Sequence, residues 1–259
     1  MKNVILFIAH QINKYTIANY YKLYKEKPAG YDLFWGLHSD IHQTMELPEY
    51  IQVFRFTYSS LHELGYTPFF YDEGKTLGSV NFILQKFFKE HPDYDCYWSM
   101  EYDVVYKGTW HSFFESFDNK DADFISAHID FFEEGKNDKW YWWQPLILLD
   151  EDIPMTQYVK AFNPLYRISN SALKFMDEYL ALGNYGHFET LMSTALYNHG
   201  FKLLDYGGTG PFVTKDFENR FYLEDTGINS GTMRFRPIFS KKEIEESNIT
   251  EKLFHPVKE

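Results

Sequence analysis

Two acidic side chains separated by one residue follow directly on an apolar segment of the chain. Glu101 follows segment 97–100, and Asp103 comes two positions later. In extended backbone alternate side chains point the same way, so these two carboxylates are expected to converge. Carboxylate oxygens are preferred ligands of hard cations such as Mg²⁺ and Mn²⁺. The pair therefore predicts a divalent metal site, although two solvated acids in a surface turn would give the same pattern.

The segments around this pair alternate between two kinds of pattern. Continuous β-branched and apolar runs are typical of parallel strands buried on both faces, and spacings near 3.6 residues favour helices. This alternation predicts an α/β fold with a mostly parallel central sheet flanked by helices. The predicted strands cover residues 4–9, 31–37, 94–100 and 122–127, and the predicted helices cover residues 13–24 and 77–88.

The second half of the chain is less regular. Segment 140–143 consists of four aromatic residues, and a short strand-like segment follows at 146–149. Ser169 is a candidate N-cap for a helix over 171–182, because its hydroxyl can accept a hydrogen bond from a first-turn N–H group. Another helix is predicted over 189–199, with a glycine after it.

The order of short motifs resembles the nucleotide-sugar glycosyltransferases of the GT-A fold, of the bacterial surface-polysaccharide type. Their Asp-x-Asp signature ends a strand and holds the metal and diphosphate of the donor, and here it has Glu in place of the first Asp. The likeness continues through Pro-Leu-Tyr-Arg-Ile-Ser at 164–169, a helix, Gly-His-Phe-Glu at 186–189, and His-Pro-Val-Lys at 255–258. It implies a GT-A-like fold with a Rossmann-like nucleotide-binding half and an acceptor half.

The resemblance also implies an activity and a cofactor. It suggests a hexosyltransferase-like enzyme that moves a sugar from a nucleoside-diphosphate sugar, a UDP-sugar first among them, to a glycan or glycolipid. Mn²⁺ or Mg²⁺ would be held by Glu101, Asp103 and His255, and Asp103 would belong to the catalytic centre. One domain is expected, with residues 1–130 as the nucleotide-sugar-binding half and residues 131–259 as the acceptor-binding and catalytic half.

Two further residues gain candidate roles from the resemblance. Glu189 matches the acceptor-activating carboxylate of inverting relatives, so it is the candidate catalytic base. A glutamate in a first helical turn is also favoured by the helix dipole without any catalytic duty. Arg167 is a candidate for donor phosphate or acceptor binding, and an ion pair with one of the many acids is the alternative.

Polar and aromatic residues elsewhere complete the predicted site. His10 and Asp40 follow the first two predicted strands, where the base and ribose of a donor would lie in such folds. Simple loop polarity would explain them equally well. Trp142 and Trp143 could stack against an acceptor sugar, whereas four neighbouring aromatic residues could also form a buried plug.

Composition narrows the classes of function. A formal net charge of -12 argues against nucleic-acid binding, and a single cysteine excludes an internal disulfide and a cysteine-based zinc site. The single cysteine fits a reducing cytosol, so a cytoplasmic protein is expected. No segment approaches the length of a transmembrane helix, and peripheral attachment to the inner membrane is left open. Two rivals remain: another metal-dependent sugar-nucleotide enzyme, such as a nucleotidyltransferase or hydrolase, and a non-catalytic carbohydrate-binding protein.

Overall fold

The computed structural model describes residues 1–43, 45–69, 78–149, 151–225 and 231–258. In chain order the strands are β1 (Asn3–Ala9), β2 (Tyr31–His38), β3 (Gln52–Phe56), β4 (Cys96–Glu101), β5 (Val105–Tyr106), β6 (Phe124–Phe131), β7 (Leu146–Ile147), β8 (Val159–Ser169), β9 (Tyr185–Gly186), β10 (Leu203–Asp205), β11 (Phe239–Ser240), β12 (Leu253–Phe254) and β13 (Val257–Lys258). The helices are α1 (Lys14–Glu26), α2 (Tyr58–His62), α3 (Asn81–Glu90), α4 (Trp110–Glu115), α5 (Asn170–Ala181), α6 (Phe188–Asn198) and α7 (Lys241–Glu246).

Seven of the described strands form a central sheet in the order β10-β6-β8-β4-β1-β2-β3. Within it β1 pairs in parallel with β2 and β4, β2 with β3, and β6 with β10. In this sheet only β8 runs antiparallel, between β4 and β6. The predicted α/β class with a mostly parallel sheet is therefore confirmed. The carboxyl ends of β1, β2 and β4 share one edge, where open α/β sheets bind ligands.

Apolar layers cover both faces of the sheet. Val4 and Leu6 of β1 pack into a cluster with α3, α5 and α6, while Ile5 and Phe7 pack into a second cluster with α1 and α4. Because both faces are covered, β1 needs an unbroken apolar sequence instead of an alternating one. This is the physical reason why the strand was visible in the sequence.

The helix signals also match the structure closely. Asn13 caps α1 through a reciprocal capping box with Thr16, and the side chain of Ser169 caps α5 as predicted. The helix predicted from residue 77 is observed as α3, which begins at Asn81; residue 77 itself lies outside the described residues. Strands β3, β8 and β10 were not predicted, and the strand predicted over 146–149 is observed only as the two residues of β7.

An irregularity in β8 shapes the centre of the molecule. Pairing of β8 with β4 stops at Leu165, and its register against β6 shifts between Arg167 and Phe162. Pro164, which has no N–H to donate to a ladder, lies inside this shift. Ser126 Oγ donates to Phe162 O at 2.9 Å and bonds Asn163 Oδ1 at 2.7 Å across the gap. Such bulges redirect side chains, and this one borders the cavity described below.

Among the described residues, no helix combines the length and the apolar composition that crossing a bilayer requires.

Candidate active site

The acidic pair lies at the carboxyl end of β4. Glu101 is the last residue of the strand, and Asp103 lies in the turn that follows, which Val104 N closes by donating to Glu101 O at 3.1 Å. The two carboxylates and the imidazole of His255 offer ligand atoms that all lie within 4.8 Å of one another. The predicted convergence of Glu101 and Asp103, and of His255 with them, is therefore confirmed.

Long-range pairing brings His255 to the acidic pair. Strand β12 pairs antiparallel with β5, which follows the turn at Asp103, so residues near the carboxyl end lie beside residues 105–106. Val257 N donates to Asp103 O at 2.9 Å, and Tyr15 Oη of α1 donates to Val257 O at 3.0 Å. These bonds hold the final strand against the end of the central sheet.

The three residues fit one divalent cation. His255 Nε2 lies 3.5 Å from Glu101 Oε2 and 3.6 Å from Asp103 Oδ1. Ligand atoms that share an ion at about 2.1 Å are about 3 to 4 Å apart. His255 Nδ1 bonds Arg234 O at 3.0 Å, and because a carbonyl can only accept, the neutral ring has its lone pair on Nε2. Asp103 Oδ1 is buried without a hydrogen-bond partner, which a cation would supply.

A lysine already neutralises part of this cluster. Lys258 Nζ donates to Asp103 Oδ2 at 2.5 Å and to Tyr102 Oη at 2.6 Å. Burial alone would lower the pKa of Lys258, but these two hydrogen bonds outweigh it and raise the pKa. The side chain is therefore a fixed positive charge beside the predicted metal ligands. The sequence motif at 255–258 contains this residue, but no role was assigned to it.

Glu101, Asp103 and His255 line a cavity of about 920 Å³, a volume typical of small-molecule sites. The cavity wall also contains Glu189 and the aromatic side chain of Trp142. Residues from the carboxyl edge of the sheet and residues far apart in sequence thus face one cavity.

Glu189 lies at the start of α6 with its carboxyl group turned toward β8. Its Oε1 accepts a hydrogen bond from Asn163 N at 3.2 Å, whereas the helix is capped by His187, whose Nδ1 accepts from Glu189 N at 3.4 Å. Burial raises the pKa of Glu189 to about 8. The carboxyl group therefore does not cap its own helix, and it is poised to exchange a proton near neutral pH.

The two candidate acceptor-binding tryptophans lie in different environments. The ring of Trp142 lines the cavity and stacks on His187, with centroids 4.3 Å apart and planes 10° from parallel. Burial lowers the pKa of His187 to about 3, so this platform is uncharged. Trp143 is buried, packs against Phe132 and donates from Nε1 to Asn137 O at 2.8 Å. Only Trp142 of the pair reaches the cavity, so the interpretation of Trp143 as an acceptor contact is replaced by a structural role.

His10 and Asp40 lie at the expected edge of the sheet but outside the cavity lining. The ring of His10 meets Tyr102 edge-on with centroids 5.0 Å apart. Asp40 Oδ2 accepts from Tyr58 N at 2.8 Å and lies 3.9 Å from His38 Nε2. His38 is buried with neither ring nitrogen hydrogen-bonded, and it was not among the predicted site residues. Donor binding by His10 and Asp40 remains a prediction.

The structure places Arg167 away from the cavity. Its guanidinium is buried and donates to three backbone carbonyls, those of Phe117 at 2.7 Å, Lys120 at 3.2 Å and Ala122 at 2.7 Å. A side chain on β8 can point to either face of the sheet, and this one points toward α4. Binding of phosphate or acceptor by Arg167 is therefore replaced by a structural role.

Replacing Arg167 with Met is expected to destabilise the protein by about 3 to 5 kcal/mol, because three carbonyls lose a charged donor. Denaturant unfolding would measure this change against Arg55→Met, which removes the same charge from an exposed position. Nucleotide binding by the folded Arg167→Met protein should be unchanged. A large loss of binding without a loss of stability would contradict the structural role.

Several basic and imidazole side chains of the cavity were not predicted. Lys160, His128, Arg234 and Arg236 all line it. His128 has a positive φ of 50°, and its Nε2 bonds Met233 O at 2.8 Å. The spacing of Arg234 and Arg236 in a strongly acidic chain could have indicated an anion-binding site. Their neighbours in sequence, however, do not show that they lie beside residues 101–103.

No family model matches the sequence, and no curated protein matches it. Solved structures do resemble the fold. One is a glycosyltransferase involved in the glycosylation of the major capsid of PBCV-1, 13% identical over 82% of this chain and 83% of that chain, with a TM-score of 0.39. Another is an active-site mutant of LgtC, 9% identical over 96% of this chain and 80% of that chain, with a TM-score of 0.42. At these values the likenesses decide nothing about activity, so function must be argued from this chain's own residues.

Proposed function

We propose that the protein is a metal-dependent glycosyltransferase that moves a sugar from a nucleoside-diphosphate sugar to a glycan or glycolipid acceptor. UDP-sugars are the first donors to test, and Mn²⁺ or Mg²⁺ is the proposed cofactor. We further propose one catalytic domain, in which residues 1–130 hold most of the donor and residues 131–259 hold the acceptor. The resemblance of the motifs supports a role in polysaccharide biosynthesis, and the single cysteine supports a location in the reducing cytosol.

The observation that carries this proposal is the convergence of Glu101, Asp103 and His255 at the wall of the cavity. A diphosphate needs compensating positive charge, which proteins supply through a divalent ion and cationic side chains. This cluster offers ligands for the ion and the ammonium group of Lys258 beside them. The edge of the sheet that holds the cluster is also where α/β folds bind nucleotides.

The proposed reaction assigns a task to each group. A bound divalent ion would stabilise the negative charge that grows on the leaving diphosphate. In an inverting reaction Glu189 would take the proton of the acceptor hydroxyl as that oxygen attacks the anomeric carbon and the bond to the diphosphate breaks. The neutral platform of Trp142 and His187 would hold the apolar face of the acceptor sugar. His10 and Asp40 would lie near the donor's base and ribose.

A thermal-shift screen tests this proposal without knowledge of the acceptor. The wild-type protein is heated with UDP, GDP, CMP and their sugar conjugates, with and without Mn²⁺. A ligand present at about 100 times its Kd stabilises by about 2.7 kcal/mol, or roughly 5 to 10 °C for a chain of this size. We expect one nucleotide family to give such a shift only with metal, and EDTA to abolish it.

The rival functions predict different results. A hydrolase would release free sugar from the stabilising donor at the same rate with or without glycan acceptors. A carbohydrate-binding protein would bind glycans and show no nucleotide shift. A nucleotidyltransferase would consume a nucleoside triphosphate and a sugar phosphate. Any of these outcomes would contradict glycosyl transfer.

A further inference from the structure

The cavity is much more basic than the chain as a whole. Four basic side chains line it, namely Lys160, Arg234, Arg236 and Lys258, although the protein carries a formal charge of -12. The carboxylates that face them include Glu189, whose burial keeps it partly protonated near neutral pH. Such a concentration of positive charge favours anionic ligands.

The basic residues differ in how far the protein already satisfies them. Lys258 is hydrogen-bonded to Asp103. Arg234 donates from Nε to Pro237 O at 2.8 Å and lies over the ring of Phe239 at 3.7 Å. These two cations therefore have partners within the protein.

Lys160 lacks a comparable partner. Its neighbour across the β6–β8 pairing is Asp130, but that carboxylate is bound by Lys136 at 2.9 Å. Among the described residues, no carboxylate lies within ion-pair distance of Lys160 Nζ, and its contact is the ring of Trp140 at 5.5 Å. Burial lowers the pKa of Lys160, which reflects the cost of an incompletely solvated ammonium group. A ligand anion would remove that cost.

The surroundings of Lys160 indicate that the acceptor would supply its missing anionic partner. Lys160 contacts Trp140, which belongs to the same aromatic segment as Trp142, and it lines the same cavity as Trp142 and Glu189. The donor diphosphate, by contrast, would use the metal ligands and Lys258. The unpartnered charge therefore belongs to the part of the cavity assigned to the acceptor.

We propose that the acceptor is an acidic glycan whose carboxylate or phosphate group binds Lys160, with Arg236 at the cavity mouth as a second contact. This inference rests on the proposed transferase function, because that function defines which ligand is the acceptor. A charge-assisted hydrogen bond to this partly buried ammonium group should favour acidic over neutral acceptors by roughly tenfold.

Calorimetric binding of three sugar probes tests the inference, with the protein saturated with UDP and Mn²⁺. The probes are methyl glucoside, methyl glucuronide and glucose 6-phosphate, which are respectively neutral, a carboxylate and a phosphate. We expect at least one acidic probe to bind roughly tenfold more tightly than the glucoside. Lys160→Met, which keeps an unbranched apolar side chain but removes the ammonium group, should remove this preference and leave glucoside binding unchanged.

Two further variants serve as controls. Lys139→Met removes the same charge from an exposed position outside the cavity and should change nothing. Arg236→Met alters an exposed side chain of the cavity and should reduce the preference even if Lys160→Met fails to fold. Equal binding of all probes to the wild type, no binding of any probe, or equal losses for acidic and neutral probes in Lys160→Met would overturn the inference.

The same proteins separate failure of this inference from failure of the proposed function. A metal-dependent shift with UDP but no acidic preference would reject only the acidic acceptor. An acidic preference without any nucleotide shift would reject the transferase and leave the anion site standing. If Lys160→Met instead weakened UDP-glucuronate relative to UDP-glucose, the anion would belong to the donor sugar, and the assignment to the acceptor would be wrong.

Discussion

Replacing Asp103 with Asn is expected to abolish metal-dependent nucleotide binding and sugar transfer. Asn has nearly the same size as Asp but no charge, so the cluster loses one of its two carboxylates. Loss of an outer-shell partner already costs up to about 100-fold in metal affinity, and loss of a direct ligand should cost at least as much. Titration of the protein with Mn²⁺ and UDP, followed by a transfer assay, measures both effects.

The matched control is Asp118→Asn. Asp118 is partly buried and accepts a hydrogen bond from Tyr31 Oη, and it lies outside the cavity lining. This variant makes the same chemical change and should retain the response to metal. If Asp103→Asn kept full Mn²⁺-dependent binding of nucleotide, the metal assignment at residues 101, 103 and 255 would be wrong.

A purely structural role for Asp103 makes a different prediction. In that role Asp103 would only hold Lys258 and the final strand, so Asp103→Asn and Lys258→Met would lose similar stability and neither would change Mn²⁺ binding. In the metal site, Lys258 Nζ binds Asp103 Oδ2 and leaves Oδ1 for the cation, so its positive charge lies beside the ion and opposes it. Lys258→Met should then bind Mn²⁺ at least as well as the wild type when nucleotide is absent, but bind the nucleotide more weakly.

The predictable parts of the fold depend on residues that are close together in sequence. The unbroken apolar run of β1 reflects burial on both faces, and the hydroxyl of Ser169 marks the start of α5. The pair Glu101 and Asp103 was recognised because a buried strand and two spaced acids adjoin in sequence. Neighbouring residues suffice for such features, so one sequence can reveal them.

The features that were missed depend on contacts between distant residues. Strand β8 contains Pro164 and polar residues, and it is a strand because β4 and β6 pair with it. The direction of Arg167 follows from that pairing and its register, which its own segment does not encode. Likewise Lys258 reaches Asp103 across 155 positions of sequence, through the β5–β12 pairing. These parts of the site were thus set by topology and not by a local motif.

Glu189→Gln is expected to stabilise the protein at alkaline pH. Burial raises the pKa of Glu189 to about 8, above its ordinary value of 4.5 in an unfolded chain. The neutral carboxyl group therefore favours the folded state fully below about pH 4.5, and this contribution is lost as pH rises through 8. Relative to Glu189→Gln, the wild type should lose on the order of 5 kcal/mol of unfolding free energy as pH rises from 4.5 to 8.

Unfolding free energies at pH 5, 7 and 9 test this difference, with Glu178→Gln as the control. Glu178 is an exposed carboxyl group on α5, so its replacement should have nearly the same small effect at every pH. If the difference between wild type and Glu189→Gln stayed constant with pH, the carboxyl group would titrate normally, and its burial would not control its proton.

The same pKa ties Glu189 to the reaction. A general base must be ionised to accept a proton, so transfer by the wild type should rise with pH and level off above about 8. Glu189→Gln should lower kcat by about 10²- to 10⁴-fold, with little change in nucleotide binding, since Asn163 N can still donate to the amide oxygen. The variant should also lose the pH-dependent rise of the wild type. An active Glu189→Gln enzyme with an unchanged pH profile would exclude the base role and favour a reaction in which the acceptor proton leaves by another route.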